Sequence, residues 1–197
     1  MISAILLAAG QSKRLLSENK LIKNYNGKPL INHVLSSLIN SKVKKIVIVL
    51  GFDHLNVRKK ILKNKKILFV INKNYKKGIS SSIKTGLKKI SNKNIGFLIV
   101  HGDMPFISKR IINILCQSLK IESKEIFIPV YKKKLGNPMA FKIKKKKIFH
   151  NLKGDKGAKK IIKNNKKEIK LIKVDSSSIH KDFDSIKDFN KKKIFKI

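Results

Sequence analysis

The sequence of 197 residues holds a single cysteine, no tryptophan, four prolines and 11 acidic residues. With only Cys116 available, a disulfide framework is excluded, and so is a structural zinc site built on thiolates; a reducing compartment fits best. Cys116 falls among Ile111, Ile112, Leu115 and Leu119 and reads as a small core residue rather than a nucleophile. No apolar run approaches the roughly 20 residues of a membrane span. Residues 1–10 are apolar, but no charged stretch precedes them and the run is too short for a signal segment. A soluble, cytoplasmic protein with no membrane partner is therefore expected. No internal repeat and no linker rich in Pro, Gly or Ser divides the chain, and 42% apolar content suffices for one core, so a single domain over 1–197 is expected.

Arginine is scarce too. The 48 Lys+Arg give a formal net charge of +37, yet only Arg14, Arg58 and Arg110 are arginines. The lysines are spread among Ile and Asn along the whole chain, as drift in base composition would leave them, rather than gathered into a patch that grips phosphates. Readers of nucleic acids use arginine forks and aromatic platforms. With 7% aromatic residues, the composition argues against nucleic acid as the main partner. The lysine runs at 142–147, 159–167 and 191–196 read as solvated faces or a frayed end.

What the sequence does contain is a series of short apolar runs with amphipathic stretches between them, the pattern of a mainly parallel sheet covered by helices. Strands are predicted at about 3–7, 45–50, 67–71, 96–101, 125–130, 139–143 and 169–174. Pro29 suits the first turn of a helix carrying Leu30, Val34, Leu35 and Leu38 on one stripe. Ser108 can cap a second helix over the stretch around Cys116. Gly10, Gly78, Gly102, Gly136, Gly154 and Gly157 fall just after predicted strands or in the turns that follow, where open α/β sheets bind ligands.

Three stretches carry chemistry. In Leu7-Ala8-Ala9-Gly10-Gln11-Ser12-Lys13-Arg14, with Lys20 beyond, a strand ends in small residues whose N–H groups can cradle phosphate, and Arg14 and Lys20 can neutralise it. The same stretch also fits an ordinary strand-to-loop turn, and it is neither the Walker pattern nor the three-glycine dinucleotide fingerprint. In His101-Gly102-Asp103-Met104-Pro105, the carboxylate at the end of a central strand suits Mg²⁺ held against a triphosphate, or a turn aspartate satisfied by local N–H groups. His101 reads as packed at the strand end. In the stretch 72–87, Gly78 followed by Ser80, Ser81 and Ser82 reads as a loop entering a helix, with hydroxyls able to meet a base, ribose or phosphate. Asp155 and Asp184, seen alone, also fit helix caps.

Taken in order, these stretches resemble the MobA-like NTP transferase family, and within it the molybdenum cofactor cytidylyltransferase branch. Residues 7–14 with Lys20 are similar to its nucleotide-binding signature, and 78–87 to its Gly-x-x-Ser-Ser-x-x-x-Gly-Leu stretch. Gly102-Asp103-Met104-Pro105 matches its metal-binding turn and Gly136-Asn137-Pro138 its Gly-His/Asn-Pro element. Gly154-Asp155-Lys156-Gly157-Ala158 matches its acceptor-side Gly-Asp-x-Gly-Ala, and Asp182-Phe183-Asp184-Ser185 its Asp-x-Asp-Thr close.

The resemblance implies a Rossmann-like three-layer α/β sandwich of the nucleotide-diphospho-sugar transferase type, with nucleotide and metal on about 1–106 and the acceptor on about 107–197. It implies transfer of CMP from CTP to the phosphate of a molybdenum pterin, with pyrophosphate released. Arg14, Lys20 and Asp103 would be catalytic, and Mg²⁺ would sit on Asp103 and Asp184. Leu7, Ala8, Ala9, Gly10, Gln11, Ser12, Gly78, Ser81, Ser82 and Gly102 would bind nucleotide; Asn137, Pro138, Gly154, Asp155 and Gly157 would bind the acceptor. An apo-molybdoenzyme or its maturation factor is the implied protein partner. Ala8-Ala9-Gly10 stands where the guanylyl-transferring branch has Ala-Gly-Gly; the methyl at position 9 narrows the space beside the base and points towards CTP. The chain departs from the pattern at Leu15-Leu16 for Met-Gly, Asn137 for His, Lys159 for Arg and Ser185-Ile186 for Thr-Pro. The alternatives are a guanylyl- or sugar-phosphate nucleotidyltransferase and a non-catalytic carrier of the cofactor.

Overall fold

The computed structural model describes residues 1–11, 19–155 and 159–190. In chain order the elements are β1 (Ile2–Ala8), the short pair β2 (Asn24–Tyr25) and β3 (Lys28–Pro29), α1 (Leu30–Ile39), β4 (Lys45–Leu50), α2 (His54–Lys60) and β5 (Ile67–Ile71). There follow α3 (Ile79–Leu87), β6 (Gly96–His101), α4 (Lys109–Ile121), β7 (Ile126–Tyr131), β8 (Lys134–Leu135), β9 (Met139–Lys142), α5 (Lys159–Asn164), β10 (Ile169–Lys173) and α6 (Ile186–Asn190).

One sheet runs in the order β10-β7-β9-β6-β1-β4-β5, with β8 on β7. Neighbours from β6 through β1 and β4 to β5 are parallel, as are β7 and β10, while β9 is antiparallel to both β6 and β7. The architecture is the expected α/β sandwich with a mainly parallel central sheet. Burial on both faces explains the continuous apolar strands: β1 is buried at every position. Ala4, Leu6 and Ala8 face α1 and α4, whereas Ile5 and Leu7 face α3 and the stacked rings of Phe97 and Phe141, which Phe149 meets edge-on.

Two local devices differ from the sequence expectation. Pro29 closes a hairpin and precedes α1 instead of lying in its first turn, because Asn26 (φ 47°) and Gly27 (φ 84°) form a tight β2–β3 turn just before it. The lysine run at 142–147 is not a uniformly solvated face. Lys145 is only 13% exposed and pairs with Glu125 (3.1 Å) and Glu168, and Lys144 also pairs with Glu125. Burial alone would raise the Glu125 carboxyl, but hydrogen bonds from Lys144 and Lys145 outweigh it and hold it below the usual 4.5. Its contribution is therefore complete above that pH and is lost as pH falls through the depressed native value. Glu125→Gln is expected to lower stability by about 1–2 kcal/mol at neutral pH. The deficit should shrink in acid; a denaturant series at pH 3 and pH 7 showing equal deficits would contradict this.

Cys116 lies in the α1–α4 layer, where burial pushes its thiol up to about 11, as suits an inert core residue. Ser108 caps α4 as expected, its Oγ accepting the Ile111 N–H at 3.3 Å. Ser108→Ala should cost about 1 kcal/mol in unfolding free energy. Among the described residues, no helix is long and apolar enough to cross a membrane.

Candidate active site

At the carboxyl ends of β1 and β6 two turns are pressed together. The Gly102 N–H donates to the Leu7 carbonyl at 3.0 Å, and a Cβ on residue 102 would stand 2.9 Å from that oxygen. Only a residue without a side chain fits there, and this contact sets Asp103 beside the turn that leaves β1. From 83 residues earlier in the chain, Lys20 reaches in: its ammonium donates to Asp103 Oδ2 (2.7 Å), the Phe183 carbonyl (2.8 Å) and Asp184 Oδ1 (3.2 Å). Phe183 is pinned by its N–H to the Asp103 carbonyl at 2.9 Å and by ring contacts with Tyr25, Phe106 and Phe189. Burial works against the Lys20 charge, but Asp103 and Asp184 outweigh it, and its pKa lies above the ordinary lysine value.

Two adjoining cavities open here. The first, of about 540 Å³, is lined among others by Gly10, Gln11, Lys20, Tyr75, Asp103 and Asp184. The second, of about 450 Å³, is lined by Met104, Asn137, Met139, Ile179, His180 and Asp182 among others. Ile79, His101 and Asp155 border both. Burial pushes the His101 imidazole down, against the charges of Asp103 and Asp182 and with that of Lys20. Asp182 is pushed up by burial, and the nearby Asp184 and Asp103 add to this. Of the 11 acids in the chain, Asp103, Asp155, Asp182 and Asp184 thus meet at this one place.

Between the cavities stands the start of α3. Gly78 has φ 90° and ψ 177°, a conformation kept for glycine. The turn at Gly154 and Asp155 docks onto it: the Ile79 N–H donates to Asp155 Oδ1 (3.0 Å), and the Ser80 N–H to the Gly154 carbonyl (3.2 Å). A stretch expected on the acceptor side therefore caps the helix expected to hold nucleotide.

Of the residues singled out from sequence, Leu7, Ala9, Gly10, Gln11, Lys20, Gly78, Ser82, Asp103, Asp155 and Asp184 line the first cavity, and Asn137 the second. Ala8, Ser81, Gly102, Pro138 and Gly154 are not among the lining residues of either. Ala8 turns its methyl into the α1–α4 layer, because it falls on the other parity of β1. The Ser81 hydroxyl donates to the Gly78 and Asn74 carbonyls and accepts from Asn72 Nδ2, so it is engaged in holding the loop. Ser12, Arg14 and Gly157 lie outside the described residues, as do Leu15 and Leu16. Ala9 is 5% exposed, and its Cβ would sit 2.7 Å from a Cβ on Gly51, so that glycine sets how closely the β1 and β4 turns approach. Tyr75, Asp182 and His180 were missed. Tyr75 and Asp182 sit inside stretches already marked by glycines and acids; nothing local distinguishes His180.

Asp103 and Asp184 offer hard oxygen donors that converge on a single cation, the Lys20 ammonium, and this chemistry suits a divalent ion. Among the described residues no group of three His, Cys, Asp or Glu side chains gathers for a metal. Oxygens from substrate phosphate and water would have to complete its shell.

Residues 4–169 match the MobA-like NTP transferase domain. The chain belongs to this family. A relative in Natranaerobius thermophilus, named a probable molybdenum cofactor guanylyltransferase, is 33% identical over 133 residues, 66% of this chain and 60% of that protein. The bifunctional protein GlmU of Wigglesworthia glossinidia brevipalpis is 33% identical over 106 residues, 53% of this chain but 23% of GlmU. This member of the MobA-like family thus spans somewhat under two thirds of the first relative and about a quarter of the second. Its fold is shared with Rv0371c of Mycobacterium tuberculosis H37Rv, at TM-score 0.84 and 21% identity over 96% of this chain and 95% of that one. A further structure of Rv0371c is a complex with manganese (TM-score 0.79, 20% identity, 96% of each chain).

Proposed function

We propose that the chain is a nucleotidyltransferase that uses a divalent metal to move CMP from CTP to the phosphate of a molybdopterin-type acceptor. The observation that carries the reading is the clamp of Lys20 between Asp103 and Asp184, set beside the open turn at Gly10. Among the described residues a Cβ on Gly10 would meet nothing within 4 Å, and its φ is not positive. Neither contact with those residues nor backbone conformation calls for glycine there, whereas close approach of a phosphate does.

In the reaction an acceptor phosphate oxygen attacks the α-phosphorus, the bond to the bridging oxygen breaks, and pyrophosphate leaves. Such a transfer needs positioning and charge neutralisation rather than a side-chain nucleophile. Backbone N–H groups at Gly10 and Gln11 hold the triphosphate, and Lys20 and Arg14 balance its charge. Asp103 and Asp184 would hold the divalent ion, which when bound supplies further neutralisation of phosphate oxygens. Asn137 meets the acceptor in the second cavity, which Asp155 also borders.

CTP is favoured by the Ala9 methyl, fixed against Gly51 at the cavity wall. GTP is the second reading, because a relative is named a guanylyltransferase. Pyrophosphate release by the purified chain with Mg²⁺ tests this, offering CTP, GTP and UTP in turn with a molybdopterin-type acceptor or a hexose 1-phosphate. Release with CTP and the pterin is expected. Release with GTP alone moves the chain to the guanylyl reading, release only with the hexose phosphate overturns the pterin acceptor, and none with any pair overturns the transferase reading.

A further inference from the structure

We propose that His101 holds the phosphate of the acceptor where the two cavities meet, as a substrate-contacting residue of the transfer. The inference rests on the nucleotidyltransferase reading above. Along β6, Phe97 and Ile99 face α3, so by the two-residue period the His101 side chain lies on that same face, towards Ile79. It borders both cavities there. Of the other two residues common to both, Ile79 is apolar and Asp155 is an anion whose Oδ1 already accepts the Ile79 N–H. Among the described residues the His101 ring makes no hydrogen bond to the protein. An imidazole keeps at least one N–H donor in either charge state, so this ring can donate to a phosphate oxygen.

The second cavity supplies the complementary argument. Although 48 of the 197 residues are basic, none of the described ones lines that cavity, whose charged side chains among the described residues are Asp155 and Asp182. A phosphate deep inside would face these carboxylates with no cation among the described residues to balance it. The phosphate therefore belongs at the mouth, between the His101 ring and the Lys20 ammonium, with the rest of the acceptor against Ile83, Ile99, Met139 and Ile179. That is also where it must stand to attack a nucleotide held in the first cavity.

The test uses the full chain as His101→Phe, which keeps a ring but no donor, and His101→Gln, which keeps a donor. Initial rates are measured against each substrate with the other saturating. His101→Phe should raise the KM for acceptor by about 10–100-fold, the worth of a hydrogen bond to a charged group, while the KM for CTP stays within about threefold. His101→Gln should recover most of the loss. Equal effects on both substrates, or no recovery with Gln, would assign the residue a structural role and overturn the proposal. In wild-type protein labelled with ¹⁵N-histidine, adding acceptor to the complex with a non-hydrolysable CTP analogue should shift the His101 ring resonance; a stationary resonance also overturns it. An inactive wild type that binds neither substrate would instead overturn the transferase reading, and this inference with it.

Discussion

Asp103→Asn is expected to reduce turnover about 100–1,000-fold, the scale on which one electrostatic contact to developing charge is lost, with little change in thermal stability. The substitution removes the charge that meets Lys20 at 2.7 Å but leaves the main-chain tie from the Phe183 N–H to the residue 103 carbonyl, so the turn keeps its place. Lys20 retains the Phe183 carbonyl and Asp184 as partners, which limits the structural damage. What is lost is one of the two carboxylates that would hold a divalent ion. Pyrophosphate release at saturating Mg²⁺ is the measurement, with thermal unfolding on the same samples. Activity within tenfold of wild type would remove Asp103 from the chemistry, and a collapse in melting temperature would show that its role is structural.

The second large effect is on stability. Gly78→Ala should destabilise the protein by about 2–5 kcal/mol, combining backbone strain with overpacking. At φ 90° a side chain is strained, and its Cβ would stand 2.6 Å from Asp155 Oδ1, 2.6 Å from the Gly154 carbonyl carbon and 2.8 Å from its oxygen. Backbone atoms are two of those three neighbours, so no rotamer change relieves the contact. The docked turn must instead withdraw from α3, breaking the bonds at Ile79 and Ser80 that join the two cavities' walls. Chemical denaturation measures the loss. A control at the same turn, Asp155→Asn, removes only charge and should cost far less, about 1 kcal/mol or below. If Gly78→Ala were as mild as that control, the reading of a rigid junction would be wrong.

The main strands were legible to within a residue or so because most of them are apolar runs between turn residues, as at 45–50, buried from Ile46 to Leu50, and at 67–71 on the sheet edge. The antiparallel direction of β9 was not legible, since a buried run carries no mark of its orientation. The role of the lysine run at 142–147 was missed for a related reason. Lys145 resembles its neighbours in sequence, and only the fold brings Glu125 and Glu168 against it.

Within the candidate site, the sequence by itself determined which turns hold small residues and which of its few acids follow a strand, and the order of those motifs identified the family. Only the tertiary structure decided which side chains share a cavity. Ala8 and Ala9 are adjacent and chemically identical, yet the period of the strand sends one methyl to the α1–α4 layer and leaves the other at the cavity wall. Lys20 meets Asp103 and Asp184 across 83 and 164 residues, and Ile79 meets Asp155 across 76. Local periodicity records the face on which a residue lies, but contacts of that separation depend on strand order and on how the crossover helices return the chain to the sheet's carboxyl edge.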